Sequence, residues 1–398
     1  MLQLSSDPTF HYELLRVLAA AATQGSDVSE LLQVCPDIIP GDFPSWYVGF
    51  DKLAKTVLQG ISSADKHYDN VSLRNAYFRA SHYFFAADFF LHGNPDDPRI
   101  DELHQQWTTL FDKAIALLPV PGERRSIQAD GFEVPVILLR PDTSAQQRPT
   151  IILGNGFDGA MEEMMHVLGF PALERGYNVV LYEGPGQTGI RRTQDIGFIH
   201  DWERVVGPVV DHLLGLDFVD PRKISLLGYS LGGYFAARAA AFEPRLAACI
   251  LIDGVWDYSI TLAATFPRTW KCFQAGDVAG CNSTFEDEGA HGNTMQRWAS
   301  EHFLWSFNKT AYEGLQEAQK MKVEDIIHNI QCPVFVGTAL EDQFAALQPG
   351  KVAQALGKQA YSFAPGNEYA ATAHCHMGAT FYMAQEIFAW LHDKHLHH

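Results

Sequence analysis

The sequence predicts an α/β fold: a mostly parallel sheet covered by helices on both faces, with a helical N-terminal region and an inserted helical lid. Three observations carry this. Before about residue 120, apolar residues recur only at helical spacing. From residue 121 short β-type runs alternate with helical stretches, the mark of strand–helix–strand units. Between 256 and 329 the alternation stops, and helical pieces and loops take over before it resumes. The expected organisation is therefore a helical region at 1–120, a core at 121–255 and 330–398, and an insertion at 256–329 over the sheet's C-terminal edge.

In the first region Leu14, Leu15, Leu18 and Ala22 share one helical face, and so do Leu53, Val57 and Ile61. Residues 73–91 form a helix dense in rings: Tyr77, Phe78, Tyr83, Phe84, Phe85, Phe89 and Phe90. Such a helix either packs a core or turns one side to a large flat substrate. After the turn Asn94-Pro95-Asp96-Asp97-Pro98, a third long helix is expected over Arg99 to Leu117. Pro119 to Gly122 punctuates the chain. Arg124 to Gln128 and Val134 to Leu139, joined through Asp130-Gly131, read as a hairpin.

Strands follow at Thr150 to Leu153, Tyr177 to Tyr182, Ile224 to Leu227 and Ala247 to Ile252, with a helix from Trp202 to Leu214. The insertion carries Trp270, Phe273, Trp298, Phe303, Trp305 and Phe307. Late elements are a strand at Pro333 to Thr338, a helix near Lys351 to Leu356, a strand at Ala360 to Phe363 and a helix from about Gly378 to Leu391.

A net charge of −18 argues against nucleic acid or an anionic membrane as partner. No apolar run reaches the roughly 18 residues of a membrane helix, and no basic flank precedes an apolar core at the N-terminus. Six cysteines are scattered without a C-x-x-C pair and read as reduced thiols of a cytoplasmic protein. The C-terminal His392, His395, His397 and His398 read as a frayed end.

The chemistry concentrates at Gly228-Tyr229-Ser230-Leu231-Gly232, between a short buried strand and an Ala-rich helix. The pattern fits G-x-S-x-G, a turn that forces its serine into a strained conformation with the hydroxyl outward. Side chains two residues to either side would strike the strand and the helix, so both positions must be glycine. The helix start then offers the Leu231 N–H and a positive dipole end to a developing oxyanion.

Serine needs a base, and the base an orienting acid. On this type of turn the chain order is serine, acid, histidine. The strand at Pro333 to Thr338 leads to Glu341 and Asp342; Asp342 is chosen because a long polar and an apolar residue, Gln343-Phe344, follow it. The loop after the last strand carries His374 and His376, and His374 is chosen. A second oxyanion donor is expected from Gly154-Asn155-Gly156-Phe157-Asp158-Gly159, at the N–H of Phe157 or Asp158. Asp158 is awkward there unless its carboxylate turns away.

Tyr229, inside the turn, and Asp253 and Asp257, after the next strand, are candidates to touch substrate; cap anchoring is the plainer role for the two acids. Glu183-Gly184-Pro185-Gly186-Gln187 lacks the glycine spacing of a dinucleotide loop and reads as a loop shaping the pocket. No H-E-x-x-H or cysteine cluster is present, so no metal and no cofactor is expected.

The runs Asp201 to Asp211, Gly228 to Tyr234, Ala239 to Cys249 and His374-Cys375 together resemble one branch of the α/β-hydrolases. That branch includes the 2,6-dihydropseudooxynicotine hydrolase, which cuts a carbon–carbon bond, and fungal hydrolases of polyketide pathways in melanin, fusarin and cytochalasan clusters. The resemblance covers about 120–392 and, more weakly, the helical front. It implies the α/β-hydrolase fold, Ser230 as nucleophile, Asp342 as orienting acid, His374 as base, a helical lid and a homodimer. It implies a small-molecule substrate, bulky and polyketide-like or aromatic, cleaved at a C–C bond of a 1,3-dicarbonyl or at an ester. An acyltransferase or cyclase on the same serine, or a binding protein on the same fold, is the alternative. Related sequences often read Gly-Pro-Gly-Gln-Gly where this chain has Gly184-Pro185-Gly186-Gln187-Thr188.

Overall fold

The structure, a computed structural model, describes residues 2–62 and 66–397. It divides into two compact units: Met1–Glu123 with Gly289–Trp305, and Arg124–Glu288 with Ser306–His398. The segment 256–329 is thus shared between the two units.

The first unit is helical. Its helices are α1 (Pro8–Ala19), α2 (Val28–Val34), α3 (Phe43–Ile61), α4 (Asn70–Asp88) and α5 (Pro98–Ile115). Asp7, Asp27, Asp42, Asp69 and Asp97 cap all five N-termini, each accepting a backbone N–H of the first turn. The short α2 has too few turns to show a helical period, and sequence reasoning did not single it out. The rings of α4 settle into a core: Phe78, Tyr83 and Phe84 are buried, and Phe90 packs with Phe10, Phe43 and Trp46 at centroid distances of 4.6–5.0 Å. The Trp46 indole N–H donates to the Ala86 carbonyl at 2.7 Å. Core packing is therefore what these aromatics do.

The second unit is built on eight strands: β1 (Glu123–Gln128), β2 (Glu133–Leu139), β3 (Arg148–Gly154), β4 (Asn178–Tyr182), β5 (Val219–Tyr229), β6 (Ala248–Ile252), β7 (Val334–Gly337) and β8 (Ala360–Phe363). Their order is β1-β2-β4-β3-β5-β6-β7-β8. β2 pairs antiparallel with β4, and every pairing from β4 to β8 is parallel. β3, β4, β6 and β7 are buried along their whole length, as strands covered on both faces must be. Gly154 pairs with Gly228, Gly228 with Leu251, and Leu251 with Val336. The carboxyl ends of four central strands therefore finish level, and the loops that leave them share one edge. Ligands bind at such an edge in open α/β sheets.

The insertion supplies helices Tyr258–Thr265, Pro267–Gln274, Val278–Ala290, Thr294–Phe307 and Ala311–Ala318. The first is tied to the β7 side of the sheet: Thr261 donates to the Phe344 carbonyl at 2.7 Å, and Gln348 accepts the Trp256 and Asp257 N–H groups. The C-terminal tail is docked rather than frayed, because Leu396 is buried and the Lys223 ammonium holds the His397 carbonyl at 2.9 Å. His398 lies outside the described residues. All six cysteines are free thiols. Among the described residues no helix is long and apolar enough to cross a membrane.

Candidate active site

Ser230 stands between β5 and the helix Gly232–Phe242, with φ at +59°. A non-glycine residue pays about 1–3 kcal/mol for this region. Backbone bonds hold it there: its N–H donates to the Ile252 carbonyl, and its carbonyl accepts the Gly233 N–H at 2.8 Å. Turn and helix approach so closely that a Cβ on Gly228 would lie 1.8 Å from the Gly232 carbonyl oxygen. The spacing of small residues in the motif follows from that contact.

The His374 loop is folded just as tightly. Cys375 and His376 are consecutive left-handed residues, at φ +57° and +55°. His374 is buried, with Nε2 2.9 Å from the Ser230 hydroxyl and Nδ1 2.9 Å from Asp342 Oδ2. The other oxygen of Asp342 accepts the N–H groups of Phe344 and Ala345 at 2.7 and 2.9 Å. Three side chains spread over 144 residues of chain thus meet in one hydrogen-bonded line. Burial alone would raise the Asp342 pKa, but the imidazole and the Ala345 amide more than offset it and hold the carboxyl well below its usual range. His374 is raised well above the ordinary imidazole value: burial opposes its charge, and Cys375 together with the flanking carboxyls overcomes that.

Asp253 is fully buried, and its Oδ2 lies 3.4 Å from the same Nδ1 while accepting the Cys375 N–H at 2.9 Å. Burial raises its pKa, so it behaves oppositely to Asp342. The structure places it beside the imidazole. Asp257 caps the helix Tyr258–Thr265 by accepting the Ser259 N–H and hydroxyl at 2.9 and 2.6 Å. Its carboxylate is spent on that cap. Tyr229 is buried, and its hydroxyl donates to the Cys375 carbonyl at 3.4 Å. Each of these three side chains thus bonds within the protein. His376 is turned away, with Nδ1 on the Ala371 carbonyl at 2.8 Å. Glu341 accepts the Thr372 hydroxyl at the surface.

Cys375 gave no sequence signal beyond its place after His374. Its sulfur lies 3.3 Å from His374 Nε2 and donates to the Ile252 carbonyl. Burial pushes the thiol up to about 12, so it stays protonated near neutrality. Asp253, His374 and Cys375 each offer one metal-ligating atom within 4.8 Å of the others, but these side chains are already engaged with Cys375 N–H, Asp342 and Ser230, and Ile252.

The loop after β3 reaches the serine through Gly156, where a Cβ would lie 2.7 Å from the Leu231 nitrogen and 2.9 Å from Ser230 Cβ. Leu231 N-caps the helix Gly232–Phe242, so its amide sits where the dipole is most positive. Phe157 stacks with Phe198 at a centroid distance of 6.1 Å and is tilted against Tyr258 at 6.0 Å. Burial raises the Tyr258 pKa, and the Asp158 charge adds to the rise. Phe344 stands edge-on to His374 at 4.9 Å. Behind the loop, Gln187, Asn155, Glu163 and Glu183 form a buried polar scaffold. Glu183 accepts from the Met161 and Gly189 amides and from the Thr188 hydroxyl, and burial raises its pKa. Thr188 thus adds a bond to Glu183. Sequence reasoning missed Glu163; Asn155 stood in the Gly154–Gly159 loop, and Glu183 and Gln187 in the Glu183–Gln187 loop.

The family described as "Alpha/beta hydrolase family" matches residues 151–381. The chain is 31% identical over 418 residues to "Hydrolase acrC" of Aspergillus aculeatus, covering 97% of this chain and 96% of that protein. It is 30% identical over 349 residues to "20-hydroxy-prefusarin hydrolase FUS2" of Gibberella moniliformis, covering 84% and 82%. Among solved structures, the 2,6-dihydroxy-pseudo-oxynicotine hydrolase superposes with a TM-score of 0.70 at 22% identity, over 94% of this chain and 95% of that one. That likeness shows the shared fold.

Proposed function

We propose a reaction from one established premise: this chain belongs to the alpha/beta hydrolase family. Ser230 is the nucleophile, His374 its general base and Asp342 the acid that orients the imidazole. The observation that carries this is the pair of 2.9 Å contacts, from Nε2 to the hydroxyl and from Nδ1 to the carboxylate. His374 Nε2 takes the hydroxyl proton as Oγ attacks a carbonyl carbon. The oxyanion is stabilised by the Leu231 N–H and by an N–H of the Phe157–Asp158 loop. Collapse of the adduct expels the leaving group, which receives the proton from His374. Water then attacks the acyl-serine by the same route.

The substrate we propose is a bulky, polyketide-like or aromatic small molecule of secondary metabolism, cut at the C–C bond of a 1,3-dicarbonyl or at an ester. In the C–C case the expelled carbanion is an enolate, stabilised by the neighbouring carbonyl. Support comes from the relative named for 20-hydroxy-prefusarin and from the ring of Phe344 beside His374. The free thiols fit a cytoplasmic location.

Ser230→Ala should lose at least about 10³-fold in turnover; full activity in that variant removes the proposal. Incorporation of ¹⁸O from labelled water into the acid product separates hydrolysis from acyl transfer or ring closure on the same serine.

A further inference from the structure

We infer that Asp253 is a positioning residue that joins the turn of the nucleophile to the loop of the general base and sets the distance between them; this rests on the serine mechanism proposed above. Asp253 follows β6 and is 0% exposed. Its backbone and its side chain touch different halves of the site. The backbone carbonyl lies against the helix Gly232–Phe242: a Cβ on Gly233 would stand 1.9 Å from that oxygen. The Gly233 N–H in turn holds the Ser230 carbonyl at 2.8 Å. The carboxyl holds the other half, with Oδ2 accepting the Cys375 N–H at 2.9 Å and Oδ1 3.7 Å from His376 Nε2. The preceding residue spans the same gap, because the Ile252 carbonyl accepts both the Ser230 N–H and the Cys375 S–H.

The loop needs such a tie. Cys375 and His376 are consecutive left-handed residues that lack glycine's freedom. Local bonds shape the turn, from the His376 N–H to the Ala373 carbonyl at 2.8 Å and from the Met377 N–H to the His374 carbonyl at 3.1 Å. Neither bond leaves the loop, so neither places it against the sheet. The Cys375 N–H does, because its acceptor stands at the end of β6, where Ile252 is paired with Tyr229 of β5. The register of the strand that carries Ser230 is thus passed through one carboxyl to the residue after His374. Cys375 is 1% exposed, so an N–H stripped of that oxygen has no solvent to turn to. The two acids divide the work. Asp342, 2.9 Å from Nδ1, orients the His374 ring; Asp253, 3.4 Å from the same atom, places the backbone that carries it.

Without the tie the imidazole drifts from the hydroxyl, and a misplacement of about 1 Å costs on the order of 10²-fold in rate. The readout is phosphonylation of Ser230 by a fluorophosphonate in single-turnover conditions: Oγ bonds to phosphorus, fluoride leaves, and the hydroxyl proton passes to His374 Nε2. Asp253→Leu keeps the approximate volume and removes the acceptor. Its maximal labelling rate should fall about 10²-fold, with the half-saturating probe concentration changed by less than about threefold. Asp253→Asn keeps a carbonyl oxygen for the Cys375 N–H and turns its NH₂ to His376 Nε2, since that ring donates through Nδ1 to the Ala371 carbonyl. It should label within about fivefold of the wild type. A Leu variant that melts and labels as the wild type does overturns the assignment. So does an Asn variant as slow as the Leu variant, which would make charge, and not the acceptor, the active element.

A second measurement covers a Leu variant that fails to fold. In the ¹⁵N-labelled wild type and in Asp253→Asn, the Cys375 N–H should exchange with deuterium at least about 10²-fold more slowly than an exposed loop amide. Exchange at the rate of an exposed amide overturns the tie. If Ser230→Ala is fully active, the serine mechanism itself has failed. If that variant is dead and a folded Asp253→Leu is unimpaired, only the role of Asp253 has.

Discussion

Two carboxyl groups stand 2.9 and 3.4 Å from one imidazole nitrogen, and their surroundings push them apart. Asp342 accepts two backbone amides and is held ionised; Asp253, fully buried, is raised toward neutrality. The ionised partner favours imidazolium, so the free base appears only above the ordinary imidazole pKa of about 6.5. The kcat/KM profile should therefore climb through an ionisation above that value, read by stopped-flow or plate assays across pH. Asp342→Asn removes the charge that raises His374, so this limb should move to lower pH while kcat falls by about 10³–10⁴-fold. Asp253→Asn removes a carboxyl whose pKa burial raises and keeps an oxygen that can accept the Cys375 N–H. Its limb should shift far less than that of Asp342→Asn; equal shifts would show that Asp253 is charged. The same logic sets stability. A depressed carboxyl stabilises the fold above its unfolded pKa, and that contribution disappears as pH falls through the folded value.

At the scale of elements, the β5 turn and helix form one rigid bracket. A methyl at 228 meets the Gly232 carbonyl, so Gly228→Ala should destabilise by about 1–3 kcal/mol or more and misplace the serine. Urea unfolding with a fluorophosphonate labelling assay tests both effects. The aromatic helix α4 teaches a different lesson. Its composition permitted a pocket wall or a core, because rings serve both. The structure buries Phe78 and Phe84 against α3 and α5 neighbours, a choice that depends on which helices pack there. Phe78→Ala should accordingly cost about 3–5 kcal/mol in unfolding free energy. The Glu183–Gln187 loop was legible as pocket-shaping, yet its targets, two carbonyls some thirty positions upstream, were not.

The whole molecule carries a net charge of −18, which should leave it unretained on DNA-cellulose at 0.1 M salt; tight retention would contradict the expectation of no nucleic-acid partner. The homodimer implied by the family likeness is read by sedimentation, where a 44.3 kDa species would exclude it. The order of strands and helices, the serine turn and the identities Asp342 and His374 were all legible in the chain, because periodicity and motif spacing are local properties. The convergence of Ser230, Asp342 and His374 depends on β5, β6, β7 and β8 lying side by side with their ends level. The placing of Asp253 beside the imidazole, of Asp257 at a helix cap and of Gln187 against the oxyanion loop came only from three dimensions. Those roles are set by which buried donor finds which acceptor, and a polar side chain's partner is chosen by packing of distant segments, not by its neighbours along the chain.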